Sequence, residues 1–276
     1  MSEWGTVYAY YEPPRKPQTM EEHVRLALET FSERSTLVRY GQSLSPAFCT
    51  LLKLGLLLHD FGKVVFSPLA RPGRKLWFTG HEVVSGWMTY RLLESFKGGG
   101  ILERLGARRD SVQSGALVLA VLLHHHPMSF PSRLESLRER AQRGSWCKLG
   151  RDHVKAFAAS VSAPAAQHLS LRGPELEEFL LEALGSSGAT CLDICGEVER
   201  IYGEMWGKIW LRGTPSSRRL FLLLLQGIVA ADYRASQPRG SDAPPSRFAQ
   251  AVSIFLEHYS GVSGVAEGNP GHIRHT

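Results

Sequence analysis

Apolar positions along this chain recur every three to four residues, the helical period, and strand-like alternation is scarce. Three stretches go further and are almost unbroken in leucine, valine and alanine, at 51–58, 117–123 and 220–231. Each is well short of the roughly 18–20 apolar residues that span a bilayer, so all three read as helices buried in a protein core. Thr19-x-x-Glu22 has the form of a capping box and predicts a helix running to about Tyr40. Ser45-Pro46 predicts an N-cap followed by proline at the first helical position, opening a very apolar helix that ends at His59, with Gly62 at its exit. Residues 64–79, with Pro68, Pro72 and Gly73, read as a loop, and a helix over 80–96 is stopped by Gly98-Gly99-Gly100. Asp110-x-x-Gln113 predicts the cap of a helix through 116–125, with Pro127 ending it. Further helices are expected over 133–142, 152–160, 174–184, 190–211, 216–236 and 246–259, and one short extended piece over 6–11. The expectation is an all-α bundle forming one domain over 1–260. Within it, 133–184 is a basic segment able to face DNA or a partner, and 261–276 is a flexible, glycine-rich tail.

Composition narrows the class. A chain of 276 residues that is 43% hydrophobic can bury a sizeable core, and its usage is that of an ordinary globular protein. No apolar leader follows Met1, so no secretory signal is expected. Cys49, Cys147, Cys191 and Cys195 contain no C-x-x-C pair, which predicts reduced, buried thiols and a cytoplasmic location. The net charge of +6 is modest but uneven. Seven cationic residues (Arg133, Arg138, Arg140, Arg143, Lys148, Arg151, Lys155) stand against three acidic ones over 133–155, with smaller groups at Arg71, Arg74, Lys75 and at Arg212, Arg218, Arg219. Such groups read as solvated faces unless the substrate is a polyanion.

The chemistry sits where the greasy helices end. His59-Asp60 follows Leu56-Leu57-Leu58, and a carboxylate in such surroundings needs a neutralising partner. His124-His125-His126 ends a second apolar run in the same manner. Successive helical residues point about 100° apart, so two of the three are expected to face one site, with His124 and His125 favoured. Asp232 follows the third run, His81 opens a helix, and His23 lies one turn inside the first helix. Singly, His23, His81 and Asp232 read as structural. Jointly, about five helices each deliver a histidine or aspartate at an apolar face or end, which is the composition of a metal site.

In this order and context the residues resemble the HD-domain metal-dependent phosphohydrolase superfamily. Leu-Leu-His-Asp-Phe-Gly-Lys (57–63), Gly-His-Glu-Val-Val-Ser (80–85), Leu-Leu-His-His-His (122–126) and Ala-Ala-Asp-Tyr-Arg-Ala-Ser (230–236) are similar to the stand-alone HD nuclease of type I CRISPR interference. The resemblance covers 22–236. It implies that Asp60 bridges two metals, that His23, His59 and Asp232 complete one site, and that His81, His124 and His125 complete the other. Two such metals activate water and stabilise charge on a phosphodiester. The nitrogen-rich set suits Mn, Ni, Co or Fe better than Mg. Lys63 would lie one turn from the metals and act on a phosphate oxygen or the leaving group, and Ser85 would support His81 or the substrate. A third histidine followed by Pro127 departs from the family's usual small residue after the pair.

No G-x-x-x-x-G-K-[ST] is present, so the nuclease reading implies a separate helicase subunit and a crRNA-guided complex that expose single-stranded DNA. The basic 133–155 stretch is then the expected strand-binding surface. Trp77 and Trp146 are candidate stacking partners, with core burial as the competing reading for both. The rival enzyme reading is an HD-type nucleotide or cyclic-nucleotide phosphohydrolase. The non-enzymatic rival is a scaffold with a degenerate site, against which the intact ligand series argues.

Overall fold

In the computed structural model, residues 5–94, 100–108, 110–125, 129–144, 147–237 and 246–261 are described. The predicted tail, His126, Pro127 and Trp146 lie outside them. The architecture is all-helical apart from two antiparallel two-stranded ribbons, β1 (Tyr8–Tyr10) with β2 (Gln18–Thr19) and β3 (Lys148–Leu149) with β4 (Ala189–Thr190).

The N-terminal helices are α1 (Met20–Leu28), α2 (Thr36–Leu44), α3 (Phe48–Leu58) and α4 (His81–Glu94), with two 3-10 turns at Phe61–Val65 and Ser67–Leu69 between the last two. Then come α5 (Ile101–Arg104), α6 (Ser111–Leu123), α7 (Phe130–Gln142), α8 (Arg151–Ser160), α9 (Ser162–Leu169) and α10 (Gly173–Leu184). The chain finishes with α11 (Cys191–Trp206), a π-helical turn at Gly207–Leu211, α12 (Pro215–Ser236) and α13 (Arg247–Tyr259).

Helix α6 is the centre because it has no polar face left to show water. Ser114 through Leu123 are all buried. Helices α12 and α4 pack along it, and α3 touches both α6 and α12, while α1 packs on α12 and α3. The five helices named as ligand donors from sequence are thus the five that form the inner bundle.

Caps explain several boundaries. The Thr19 hydroxyl accepts the Glu22 N–H at 3.2 Å, and Asp110 Oδ1 accepts the N–H groups of Val112 and Gln113, as expected for both starts. The predicted helix from Thr19 to Tyr40 is instead two helices. It ends at Leu28, and Ser35 caps a new start with its hydroxyl on Val38 N–H. Ser45 closes α2 rather than opening α3, whose N-cap, Ala47, makes no side-chain cap. The expected helix to 211 leaves α-geometry at Trp206 and continues as the π turn. The expectation of four reduced thiols is also corrected: Cys147 and Cys191 form a disulfide that joins the β3–β4 ribbon to the start of α11, leaving Cys49 and Cys195 free and buried. No described helix is long and apolar enough to cross a membrane.

One close approach fixes the site. The turn after Asp60 presses against the start of α4 so tightly that a Cβ on Gly62 would lie 2.1 Å from the His81 carbonyl oxygen. Ser85 Oγ accepts the Gly62 N–H at 2.8 Å and locks this contact. Gly62→Ala must push two backbone segments apart, and the expected loss is about 3 kcal/mol. Gly203→Ala, in α11 where an added Cβ meets nothing within 4 Å, should instead stabilise by about 0.5–1 kcal/mol. Urea denaturation of the two variants should give shifts of opposite sign; a Gly62→Ala protein as stable as wild type would contradict this packing.

Candidate metal centre

Each candidate ligand arrives from a separate element of the inner bundle. His23 lies in α1, His59 is the C-cap of α3 with Asp60 directly after it, His81 begins α4, His124 is the C-cap of α6 with His125 next, and Asp232 lies in α12. Five of these seven residues are 2% exposed or less, while Asp232 and His125 are partly open and mark the mouth. Their donor atoms form two groups, His23, His59, Asp60 and Asp232 in one and His81, His124 and His125 in the other, with all atoms of a group within 4.8 Å of one another. The grouping is the one the resemblance implies for the described residues, and His126 lies outside them.

The backbone decides which ring nitrogen faces inward. His59 Nδ1 donates to Leu56 O at 2.9 Å, His81 Nδ1 to Phe78 O at 2.8 Å and His124 Nδ1 to Val121 O at 2.7 Å. A carbonyl can only accept, so each Nδ1 carries a hydrogen and each neutral ring turns an Nε2 lone pair toward the centre. His23 follows the same rule through a side chain. Gln18 Nε2 donates to Ala235 O at 2.7 Å, which leaves Gln18 Oε1 to accept from His23 Nδ1 at 3.2 Å.

The consequence is a cluster of ring nitrogens and carboxylate oxygens facing one another, with the Lys63 ammonium reaching Asp60 Oδ2 from beside it. His23 Nε2 stands 3.2 Å from His59 Nε2, 3.1 Å from Asp60 Oδ2 and 3.2 Å from Asp232 Oδ1. His59 Nε2 lies 3.6 Å from Asp60 Oδ2 and 3.8 Å from Asp232 Oδ1. Asp60 Oδ1 faces His81 Nε2 at 2.9 Å, in an orientation that makes no hydrogen bond, and His124 Nε2 is buried with no hydrogen-bond partner. Lone pairs at these separations repel unless a positive charge lies among them. Ligands about 2.1 Å from a common ion sit about 3.0 Å apart when adjacent and about 4.2 Å apart when opposite, and the spacings quoted among His23, His59, Asp60 and Asp232, 3.1 to 3.8 Å, fall in that interval. The residues therefore fit a metal, and these groups could hold metal ions.

The electrostatics agree. Burial opposes charge on Asp60, but the Lys63 ammonium and the histidines around it hold its carboxyl well below the usual range. Asp232 is likewise held low, burial being outweighed by His23 and His59. Burial, reinforced by His59 and His81, pushes His124 down to about 4, and burial with His124 and His81 takes His125 well below an ordinary imidazole. For His59, burial works downward but Asp60 and Asp232 prevail and raise it, so a proton can supply the positive charge when no ion does.

Around this core stand residues of a different kind. Lys63, expected one turn from the site, is itself buried and donates to Asp60 Oδ2 at 2.6 Å, its ammonium 5.5 Å from the centre of the Phe78 ring. Ser85, expected to support His81 or the substrate, supports the Gly62 turn instead. Sequence reasoning missed Glu82, a buried carboxylate 3.5 Å from His81 Nδ1 and gripped by both Nε and Nη2 of Arg133. A glutamate beside His81 amid apolar residues was the available signal. The expected basic surface is largely consumed by such pairs. Arg138 bonds Glu135 and Glu199, Arg143 reaches Glu139, and Arg140 holds Trp77 O and lies over Phe66, leaving Lys148, Arg151 and Lys155 exposed. Trp77 is 61% exposed, which rules out core burial, and Lys75 lies 4.4 Å from its ring centre.

No family model, curated protein or solved structure matches the chain.

The metal-free protein should weaken as pH falls. Folded His124 stays neutral down to about pH 4, whereas its unfolded imidazole takes a proton near pH 6.5, so the unfolded state binds more protons in that window and stability declines through it. The depressed Asp60 and Asp232 extend the loss below about pH 4. His59, raised in the fold, acts in the opposite sense and loses its contribution as pH rises above about 6.5. Denaturation in a chelator at several pH values should show a shallower decline between about pH 6.5 and 4 in His124→Leu than in wild type; equal slopes would refute the neutral, buried imidazole.

Proposed function

We propose that this chain is an HD-type phosphohydrolase that cleaves single-stranded DNA, acting in CRISPR interference beside a separate helicase and a crRNA-guided complex. The observation that carries the hydrolase reading is the convergence of imidazole lone pairs and two carboxylates in a dry pocket, divided into two groups with Asp60 between them. The order of these residues along the chain supplies the family resemblance, and the step to a nuclease of this kind rests on that resemblance.

Asp60 is the residue with an oxygen for each group: Oδ2 faces His23 and His59, and Oδ1 faces His81. His23, His59 and Asp232 would hold one ion and His81, His124 and His125 the other, and the nitrogen-rich set favours Mn, Ni, Co or Fe. When bound, two such ions activate a water and stabilise the charge developing on a phosphodiester. The protein's own residues do the rest. The backbone carbonyls of Leu56, Phe78 and Val121 orient the imidazoles, as partners behind ligating histidines generally do. Glu82 and Arg133 steady the His81 side. Lys63 keeps Asp60 ionised and places a cation where a phosphate oxygen or leaving group needs one.

Purified protein with Mn²⁺ or Ni²⁺, offered labelled single-stranded DNA, duplex DNA, deoxynucleotides and cyclic dinucleotides, should cut the single strand far faster than the rest. Asp60→Ala should lower the rate by at least about 10³-fold, because both ions lose a ligand. Lys63→Ala should lose about 10²-fold while still binding two ions per chain. Turnover of nucleotides but not of single strands would replace the nuclease reading by the nucleotide-hydrolase one.

A further inference from the structure

A second chemical feature lies outside the metal centre. Tyr202, Trp206 and Trp210 recur every four residues along α11 and into the π turn, and their rings stack in sequence. Centroids are 5.9 Å apart for Tyr202–Trp206 and 5.3 Å for Trp206–Trp210, with planes within 23°. Phe130 extends the stack at 4.8 Å from Tyr202, and Phe221 of α12 meets both tryptophans edge-on. Phe130 and Phe221 are buried, whereas Tyr202, Trp206 and Trp210 are half-buried. The row is therefore a partly open aromatic ledge and not a closed core.

Arg212 and Arg219, close along the chain to Trp210 and Arg218, have no ion-pair partner among the described residues, whereas Lys208 faces a cavity shared with Glu94, Asp110 and Glu204. Nearby acids are already engaged, Glu204 with Arg200 at 3.1 Å and Glu199 with Arg138 at 2.7 Å. Arg212 folds back over the helix, since a Cβ on Gly207 would lie 3.2 Å from its guanidinium. Arg218 donates to Trp210 O at 2.8 Å and lies 6.0 Å from that ring's centre. Phe221, buried behind the ledge, shares helix α12 with Asp232, about 16 Å further along.

We propose that this ledge is a docking surface for single-stranded DNA outside the metal centre; this rests on the nuclease reading. Unpaired bases offer faces and edges to aromatic rings while their phosphates meet free cations, and a duplex hides its bases from such a surface. The basic 133–155 stretch is less suited, its arginines from Arg133 to Arg143 being largely tied to carboxylates and backbone.

The test is fluorescence anisotropy with a labelled oligothymidylate in excess chelator, so that binding is read without cleavage. Arg212→Gln with Arg219→Gln should weaken binding about 5–10-fold and make the slope of log affinity against log salt shallower by about 1.4, the value for two lost contacts to a single strand. Trp206→Leu, checked for native helicity, should weaken binding about tenfold with the slope unchanged. A charge-matched control on α8, Arg151→Gln with Lys155→Gln, should bind as wild type does. Unchanged affinity in the arginine pair, an equal loss in the control, or duplex DNA bound as tightly as the single strand would each overturn the proposal. Hydrolysis of bis(p-nitrophenyl) phosphate, which requires the metal centre alone, should be unaffected in the arginine pair. If no protein cleaves any phosphodiester yet binding still maps to the ledge, the nuclease reading falls and the surface stands.

Discussion

Four imidazole Nε2 atoms and two carboxylates are held a few ångströms apart in a largely buried pocket. That arrangement is unfavourable in isolation, because lone pairs and negative charges are brought together where little water reaches them. It persists because the bundle holds it in place from several sides. A cation placed among these groups would relieve the repulsion, and they could hold metal ions for that reason.

The bundle positions these groups economically by using helix ends. The last carbonyls of an α-helix have no intrahelical partner. In α3 and α6 one of these, Leu56 O and Val121 O, is taken by the Nδ1–H of the histidine that closes the helix. A single hydrogen bond satisfies a buried carbonyl, fixes the tautomer and aims the ring. The price is that the helix must stop there, and the tight Gly62 turn after Asp60 accomplishes this by nesting under the start of α4. The same contact brings His81 to the far oxygen of Asp60. Fold and site are therefore one constraint here.

Much of this could be read in the sequence for a physical reason. A histidine or aspartate closing a leucine-rich run is hard to explain by packing alone, so the His59-Asp60 and His124-His125-His126 ends stood out first. His23, His81 and Asp232 were legible only jointly. What stayed hidden depends on long-range partners that local pattern does not encode. The break between α1 and α2 hinges on Ser35 acting as a cap within a stretch whose periodicity reads as continuous. The disulfide depends on two two-residue strands that bring Cys147 to Cys191 from 44 positions away, whereas cysteine spacing and the lack of a leader pointed to reduced thiols. Glu82 could have been suspected as a buried carboxylate, but Arg133 as its partner could not. The same pairing explains why net charge over 133–155 was a poor guide to exposed positive surface.

Burial also restricts which substrates can reach the centre. Of the seven candidate ligands, five are closed off, and access is confined to the side of Asp232 and His125. Under the proposed nuclease reading, a phosphodiester would have to enter by its own flexibility, since rigid grooves of a duplex keep their phosphates on a wide cylinder that cannot follow a narrow mouth. A single strand can bend one phosphate inward while its neighbours stay outside, and those neighbours then need a surface of their own. On the proposed reading, the aromatic and cationic groups of α11 and the π turn would supply it. A buried centre and an external ledge would then be two parts of one requirement, because the drier the site becomes, the more of the substrate's binding energy has to be found outside it.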